Sequence, residues 1–592
     1  MTLLPFARIA RLRPVCLTVA TAILVSGFLR CAYAQNTPQQ LDAVLQQQAK
    51  DRQARVADEL ANVKAGNPQV SGVPENASTE STVSQYVADE SPCFVIHQVR
   101  LDGENADSYS APLREILSGK DAAHGLPSPI GRCLGAQSIR NLAVRLQNRL
   151  IDQGLVTTRV LVSPQDISGG TLMLTVLPGT ISAIRASDTS DIRAHFGNAL
   201  PVSTGSVLNL RDIEQGLENL RRLPTVQSDI AIAPGKEPGQ SELLINWKQS
   251  RPLRLYASID DAGNKATGKY QTTAMVTFDH FLTLNDIFYV SRSFTPGHHH
   301  DGHSANTAFH YSIPFGYWQL AFNTGQFDYW QQVPQQSQSY VYSGRSRNTD
   351  LALSRVIWRD SHRKTQLYLK GWQRKSRNQI NGVEIPIQRR NAAGWELGLI
   401  HREYLSRGTL DATLAYKRGT GALGAMPAPE DSSDEGTSRF RLFTASVSLD
   451  LPFSIGNQSF RYGSALRGQW NRTRLTTLDQ FAIGGRYTVR GFDGQQVLMG
   501  NRGLLWRNEL ALPLQNLGLS GHEIYVGLDV GKVGGPATKY LAGKSLSGIS
   551  AGVRGQLLNA IRYELFAGRP LRKPENFKTA RIAGGFSLSI AY

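Results

Sequence analysis

A chain of 592 residues is long enough for several domains, and its formal charge of +17 raises nucleic acid or an anionic membrane surface as partners. The 64 basic residues are spread along the whole chain without forming a basic block. No zinc-finger spacing, Gly-rich phosphate loop or RNA-binding aromatic signature accompanies them, so the composition speaks against nucleic acid and calls for no cofactor.

The N-terminus reads as an export signal. Arg8, Arg11 and Arg13 precede an apolar stretch from about Val15 to Phe28, and Ala32–Ala34 ("AYA") close it with a small-x-small cleavage site. The apolar run is too short for a membrane span. A lipoprotein reading at Cys31 is opposed by Arg30, a large charged residue where a small one is expected. Residues 1–34 are therefore expected to be removed. Of four cysteines, Cys16 and Cys31 leave with the signal, while Cys93 and Cys133 remain. An even pair in an exported chain points to a disulfide, with two buried free thiols as the other reading.

Residues 35–63 predict a helix, with Thr37 as cap and Pro38 in the first turn. Its apolar stripe (Leu41, Val44, Leu45) is narrow, so it either lies in water or sits in a polar cavity. Residues 64–91 are rich in Gly, Pro, Ser and Asn and read as a flexible linker. From Cys93 the pattern is strand, helix (109–118), helix (136–153), strand, strand. The second helix carries Ile139, Leu142, Leu146 and Leu150 at helical spacing. The order then repeats over 180–250: a strand at 181–187, a short helix near 191–197, a helix at 209–223 and two strands. Two modules with the same element order form an internal repeat, at 92–179 and 180–250.

From 251 to 592 alternation replaces helical periodicity. In "FTASVSLDLPF", Phe443, Ala445, Val447, Leu449 and Leu451 share one face, and Thr444, Ser446, Ser448 and Asp450 the other. "TLDATLAYK" and the C-terminal "IAGGFSLSIAY", ending at Tyr592, alternate in the same way. Sixteen such segments can be placed, with long connections at 326–346, 376–391, 419–439 and 476–501 and short turns between. An even number of alternating segments, apolar outward and polar inward, predicts a closed transmembrane β-barrel. "HHHDGH" (His298–His303) falls in a loop and reads as solvated rather than as a metal site. No Ser-His-Asp signature stands out, and no enzyme activity is expected.

The organisation resembles the outer-membrane transporters of two-partner secretion, the TpsB family. The β-α-α-β-β units resemble POTRA domains, and "SPCFVIHQVRL", "GRCLG" and "LIDQGLVTTRVLVSPQDISGGTLMLTVLPG" are similar to the haemolysin-secretion and contact-dependent-inhibition branch. "VRGF" (Val489, Arg490, Gly491, Phe492) matches the signature of that family's sixth extracellular loop, and "GLDVG" (Gly527, Asp529, Gly531) matches its thirteenth-strand signature. The resemblance implies that the loop folds into the lumen, that Arg490 pairs with Asp529, and that residues 35–63 plug the barrel. Alternation agrees, because Ile524, Val526, Leu528 and Val530 share the lipid face and leave Asp529 inward. Glu509 also points inward and is a second partner for Arg490. Gly491 suits a tight turn, Phe492 a packed tip, and Gly527 and Gly531 a close approach of loop to wall.

The implied function is export, without nucleotide, of an unfolded TpsA-type exoprotein recognised in the periplasm by the POTRA domains. Activation of that client during passage is a further implied role. The edge strand "SDIAIAPG" and the helix at 209–223 are the expected docking elements. Further implied partners are outer-membrane lipids and the barrel-assembly machinery that reads the strand ending at Tyr592. An insertase of the same superfamily and a passive porin are the alternatives. The first usually carries more POTRA modules and no plug, and the second needs neither POTRA modules nor "VRGF".

Overall fold

The computed structural model describes residues 42–49, 52–53, 55, 86–87, 89–119, 127–297, 301–334, 338–558 and 560–592. The predicted signal segment, most of the linker and His298–His300 lie outside these.

The first module has a three-stranded sheet with Thr171–Leu177 at its centre. Gln98–Asp102 lies parallel on one side and Arg159–Leu161 antiparallel on the other. Helices Ser110–Leu117 and Ala136–Asp152 cover one face, and Ile139, Leu142, Leu146 and Leu150 are buried in the core beneath. A disulfide joins Cys93 and Cys133. It lies beside a two-stranded ladder, Phe94–Val95 with Cys133–Leu134, that leads directly into the second helix. The end of the predicted linker is anchored rather than free. Tyr86 packs on this core, and Glu90 accepts hydrogen bonds from the Gly135 and Gln137 amides (2.9 and 2.8 Å) at the N-terminus of the helix. A carboxylate there satisfies orphan amides and complements the helix dipole.

The second module repeats the sheet, with Gln240–Gln249 central, Thr180–Ala186 parallel and Val226–Pro234 antiparallel at the edge. Leu210–Arg221 is its helix, capped by Asn209, whose side chain accepts from Arg211 N–H (2.8 Å). The short helix predicted near 191–197 is replaced by turns. Asp191 accepts from the Gln249 amide (2.7 Å), and the Ser190 hydroxyl donates to the Ile245 carbonyl (2.8 Å). Asn198 reaches the Leu284 and Pro314 carbonyls. These side-chain bonds to neighbouring backbone outcompete a helix too short to nucleate.

Residues from Leu253 to Ala591 form the closed antiparallel barrel. Sixteen strands run consecutively around it, and Ser587–Ala591 pairs with Tyr256–Asp260 to close the ring. A two-residue strand, Val383–Glu384, adds a small hairpin to one of them. Alternation places side chains as expected: Ile524, Val526, Leu528 and Val530 are exposed on the outer face, while Tyr525 and Asp529 are buried inside. The connection predicted at 326–346 is mostly strand, because Trp318–Pro334 and Ser339–Arg359 stay paired along their whole length. Residues 42–49 form a helix inside the barrel. Leu45 and Ala49 meet Phe327, Tyr329 and Tyr342 on the wall, and Ala43 and Val44 meet Met499. Among the described residues no helix is long and apolar enough to cross a membrane.

The second module sits directly on the barrel's periplasmic turns. Arg359 contacts Glu218 (2.6 Å) and Glu214 (3.6 Å), Lys364 also meets Glu218, and Asn219 donates to the Gly316 carbonyl (2.7 Å). Part of the helix expected to face a client is therefore committed to the barrel, whereas among the described residues the Val226–Pro234 edge carries no further strand. Burial alone would raise the Glu218 carboxyl, but Lys364 and Arg359 more than offset it and hold it at about 2. Because this folded value lies below the ordinary one of 4.5, the contact contributes fully above that pH and is lost as pH falls toward 2. Hydrogen-exchange protection of Leu210–Arg221 in the whole protein, taken relative to the intrinsic rate at each pH, is expected to hold from neutrality to pH near 5 and to fall only below about pH 4. Glu218→Gln should show the lowered protection already at neutral pH. Equal rates for both proteins at neutral pH would remove Glu218 as the anchor.

Candidate functional site: an arginine lock inside the barrel

Strands Gln458–Asn471 and Arg502–Pro513 are joined by a long extracellular segment that folds back into the lumen. Within it Phe481–Ile483 pairs with Leu498–Gly500. This small hairpin carries the 484–497 turn to the wall. The Thr488 hydroxyl accepts from the Gly484 and Gly485 amides (2.9 and 3.0 Å), which fixes the start of the turn.

Arg490 is 5% exposed, and Asp529, on the thirteenth barrel strand, is fully buried. Arg490 Nε and Nη2 donate to the two carboxylate oxygens of Asp529, each at 2.8 Å, and the Arg490 amide donates to Oδ2 at 2.9 Å. Nη1 donates to Glu509 Oε2 (2.5 Å), and Nη2 also to the Asn508 carbonyl (3.0 Å). Every nitrogen of the guanidinium thus has an acceptor, the condition under which a buried charge is tolerated. Arg554 donates to the other oxygen of Glu509 (2.6 Å) and also pairs with Glu523, while Arg507 Nε lies 3.7 Å from Asp529. Charges alternate along the wall, so the lock is close to neutral as a group.

Glycines bring the loop to the wall. A Cβ on Gly527 would stand 2.5 Å from Arg490 Nη2, and one on Gly548 would stand 1.9 Å from the Arg490 carbonyl oxygen. At Gly531 it would press on Ile483 and Val489. Gly491 has φ +103°, a left-handed conformation that favours glycine, and its missing Cβ clears the Arg569 carbonyl. Val489 and Phe492 are buried, Phe492 meeting Phe577 edge-on at 5.6 Å. The residues named from sequence therefore converge on one site: Val489, Arg490, Gly491 and Phe492 on the loop, and Glu509, Gly527, Asp529 and Gly531 on the wall.

Sequence reasoning missed the rest of the loop's attachment. Gly548 belongs to the floor under Arg490, but nothing in "LSGIS" signals a partner. Arg374 grips Asp479 at the loop's entrance (2.6 Å), with Lys417 at 3.9 Å. Arg486 meets Asp261 and Glu564, both at 3.3 Å. Glu564 also receives Arg55 from the N-terminal segment (2.9 Å), and Arg52 of that segment meets Asp260 at 3.7 Å. One wall carboxylate therefore holds both the plug and the loop. A cavity of about 250 Å³ lies between them, lined by Arg55, Arg490, Glu509, Tyr525, Arg554 and Glu564. Among the described residues no group of His, Cys, Asp and Glu could hold a metal.

The family described as haemolysin secretion/activation protein ShlB/FhaC/HecB matches residues 239–555. The chain belongs to that family. A ShlB-type POTRA domain matches residues 94–179 and a further POTRA domain 180–234. The chain is 37% identical over 516 residues to outer membrane transporter CdiB-2 of Burkholderia pseudomallei (strain 1026b), covering 85% of this chain and 87% of the relative. It is 26% identical to hemolysin transporter protein ShlB of Serratia marcescens, over 74% of this chain and 77% of that protein. Among solved structures, CdiB from Acinetobacter baumannii superposes with a TM-score of 0.80 at 28% identity, covering 94% of this chain and 99% of that one. Like these relatives, this family member is an outer-membrane barrel, with its POTRA domains in the periplasm.

Proposed function

We propose that this chain exports a partner exoprotein of the haemolysin or contact-dependent-inhibition type across the outer membrane. The observation that carries the reading is a closed barrel whose lumen holds two segments that are not part of its wall, the N-terminal helix and the inward loop, each tied to the wall by hydrogen-bonded charge pairs. A permanent wall would be packed with apolar side chains, whereas these contacts can be exchanged for water when the elements move. The Val226–Pro234 strand lies at the edge of its sheet beside the periplasmic mouth, where an extended client segment can add along Ile230–Ile232, past the Ser228 carbonyl that Arg221 already occupies. The reading gives the chain no catalytic step; folding of the client outside supplies the direction. The C-terminal strand, whose Tyr592 exchanges two backbone hydrogen bonds with Leu255 (2.9 Å each), is the segment the barrel-assembly machinery would read.

The test is deletion and re-expression of this gene in its native strain, with the proteins released into the medium compared. Extracellular exoprotein is expected to vanish on deletion and return with the intact chain, while other outer-membrane barrels keep their levels. Unchanged export, or a general loss of barrels, would overturn the reading.

A further inference from the structure

The outer surface of the barrel carries a charge pattern that neither the lock nor the export pathway uses. On seven consecutive strands the top of the lipid-facing band is marked by Tyr416, Phe443, Trp470, Leu504, Val530, Ile549 and Ala567. Register ties these positions together. Tyr416 faces Phe443, Phe443 faces Trp470, and Leu504 faces Gly468. From there the band steps down by one pair per strand, with Trp506 opposite Val530, Leu528 opposite Ile549 and Ala551 opposite Ala567. The two level pairings followed by a step at each later interface advance the band along tilted strands as closure of the ring requires, so these positions follow one belt around the barrel.

Two residues further toward the extracellular side stand Arg418, Arg441, Arg472, Arg502, Lys532, Ser547 and Arg569, in that order. The six cationic residues are all exposed. Arg418 and Arg441 are direct cross-strand neighbours, a like-charge pairing that is unfavourable by itself. Arg572, opposite Ser547, adds another cation just above. Among the described residues, none of these basic side chains enters an ion pair or a side-chain hydrogen bond within the chain. Two other exposed arginines of the outer face are answered internally, Arg345 by Asp328 and Arg347 by Gln326 at 3.0 Å.

We propose that this arc binds the phosphate groups of outer-leaflet lipid, each head group seated between neighbouring strands with its acyl chains on the aliphatic band below. Guanidinium groups match phosphate oxygens bidentately, and strands about 4.8 Å apart bring neighbouring cations within reach of one phosphorylated head group. The counter-charge missing from the chain is then supplied by the membrane, and the repulsion between Arg418 and Arg441 becomes a bridging contact. The arc spans the strands that carry Glu509 and Asp529, so bound lipid would brace the wall to which the loop is locked.

The test uses the full-length protein in detergent, with lipid A as the probe and native mass spectrometry as the readout. Dephosphorylated lipid A and inorganic phosphate are run beside it. Lipid A is expected to remain bound, and Arg418→Gln/Arg441→Gln to lower its retention about tenfold. Arg345→Gln/Arg347→Gln, equal in charge removed, is expected to leave retention unchanged. Folding of each variant is read from the heat-dependent gel mobility of the intact barrel. If the first pair does not fold, Lys532→Gln/Arg569→Gln replaces it with the same expectation. Equal retention of dephosphorylated lipid A, equal loss in the control pair, or displacement of lipid A by inorganic phosphate at the same concentration would overturn the proposal.

Discussion

Arg490→Ala is expected to insert and close as a barrel yet lose export of its client. The substitution removes every hydrogen bond that the guanidinium makes to Asp529, Glu509 and the Asn508 carbonyl. It leaves Asp529 fully buried beside a cation, Arg507, that reaches it only at 3.7 Å. Breaking one side of a buried pair costs about 3–5 kcal/mol, enough to reduce the docked loop by about two to four orders of magnitude. The strand ladders do not depend on Arg490, so barrel assembly is spared. Arg490→Lys is expected to rescue little, because an ammonium cannot span both Asp529 oxygens and Glu509 at once. Exchanging the charges, Arg490→Asp with Asp529→Arg, tests the contact itself and should restore part of the export. Secreted client in the medium and folded barrel in the membrane are the two measurements. Normal export by Arg490→Ala would falsify the lock.

The second large effect is expected at a residue with no side chain. In Gly548→Val the first added carbon would stand 1.9 Å from the Arg490 carbonyl oxygen, which is backbone and cannot swing aside. Overpacking of this kind costs about 1–3 kcal/mol or more where nothing can relax. Here the loop is the part that yields, so Arg490 is displaced with its charge partners intact. The variant should therefore mimic Arg490→Ala in export while leaving Asp529 and Glu509 in place. Gly371→Val, on a barrel strand where an added carbon meets nothing within 4 Å, is the control expected to export normally. A Gly548→Val protein that exports at the wild-type level would show that the close approach is dispensable.

Much of the architecture was legible because the signals behind it are local. Strand alternation has a period of two residues, so "IYVGLDVGK" by itself places Asp529 opposite the lipid face. Helical spacing in 136–153 named four of the residues that bury in the first module, Ile139, Leu142, Leu146 and Leu150. The arginine and its partner, by contrast, were legible only through two short signatures that resemble those of a known family. Spacing alone could not have joined Arg490 to a carboxylate 39 residues away.

What failed to show in the sequence depends on closure of the ring. Arg374 meets Asp479 across 105 residues, and Arg55 meets Glu564 across 509, because the barrel bends distant strands around one lumen. No local pattern encodes which inward residues end up at the same depth on facing walls. The helix expected at 191–197 also gives way to long-range contacts, here to strand Gln240–Gln249 of the same module and to the barrel turns. Likewise, the helix at Leu210–Arg221 looked free for a client until the Arg359 and Lys364 contacts placed one flank on the barrel. The amino-acid sequence by itself thus determined that this is a β-barrel preceded by two repeated modules, since alternation and helical spacing are properties of neighbouring residues. Only the tertiary structure decided which charges meet inside it and which remain outside for the membrane, because those follow from strand register and ring closure.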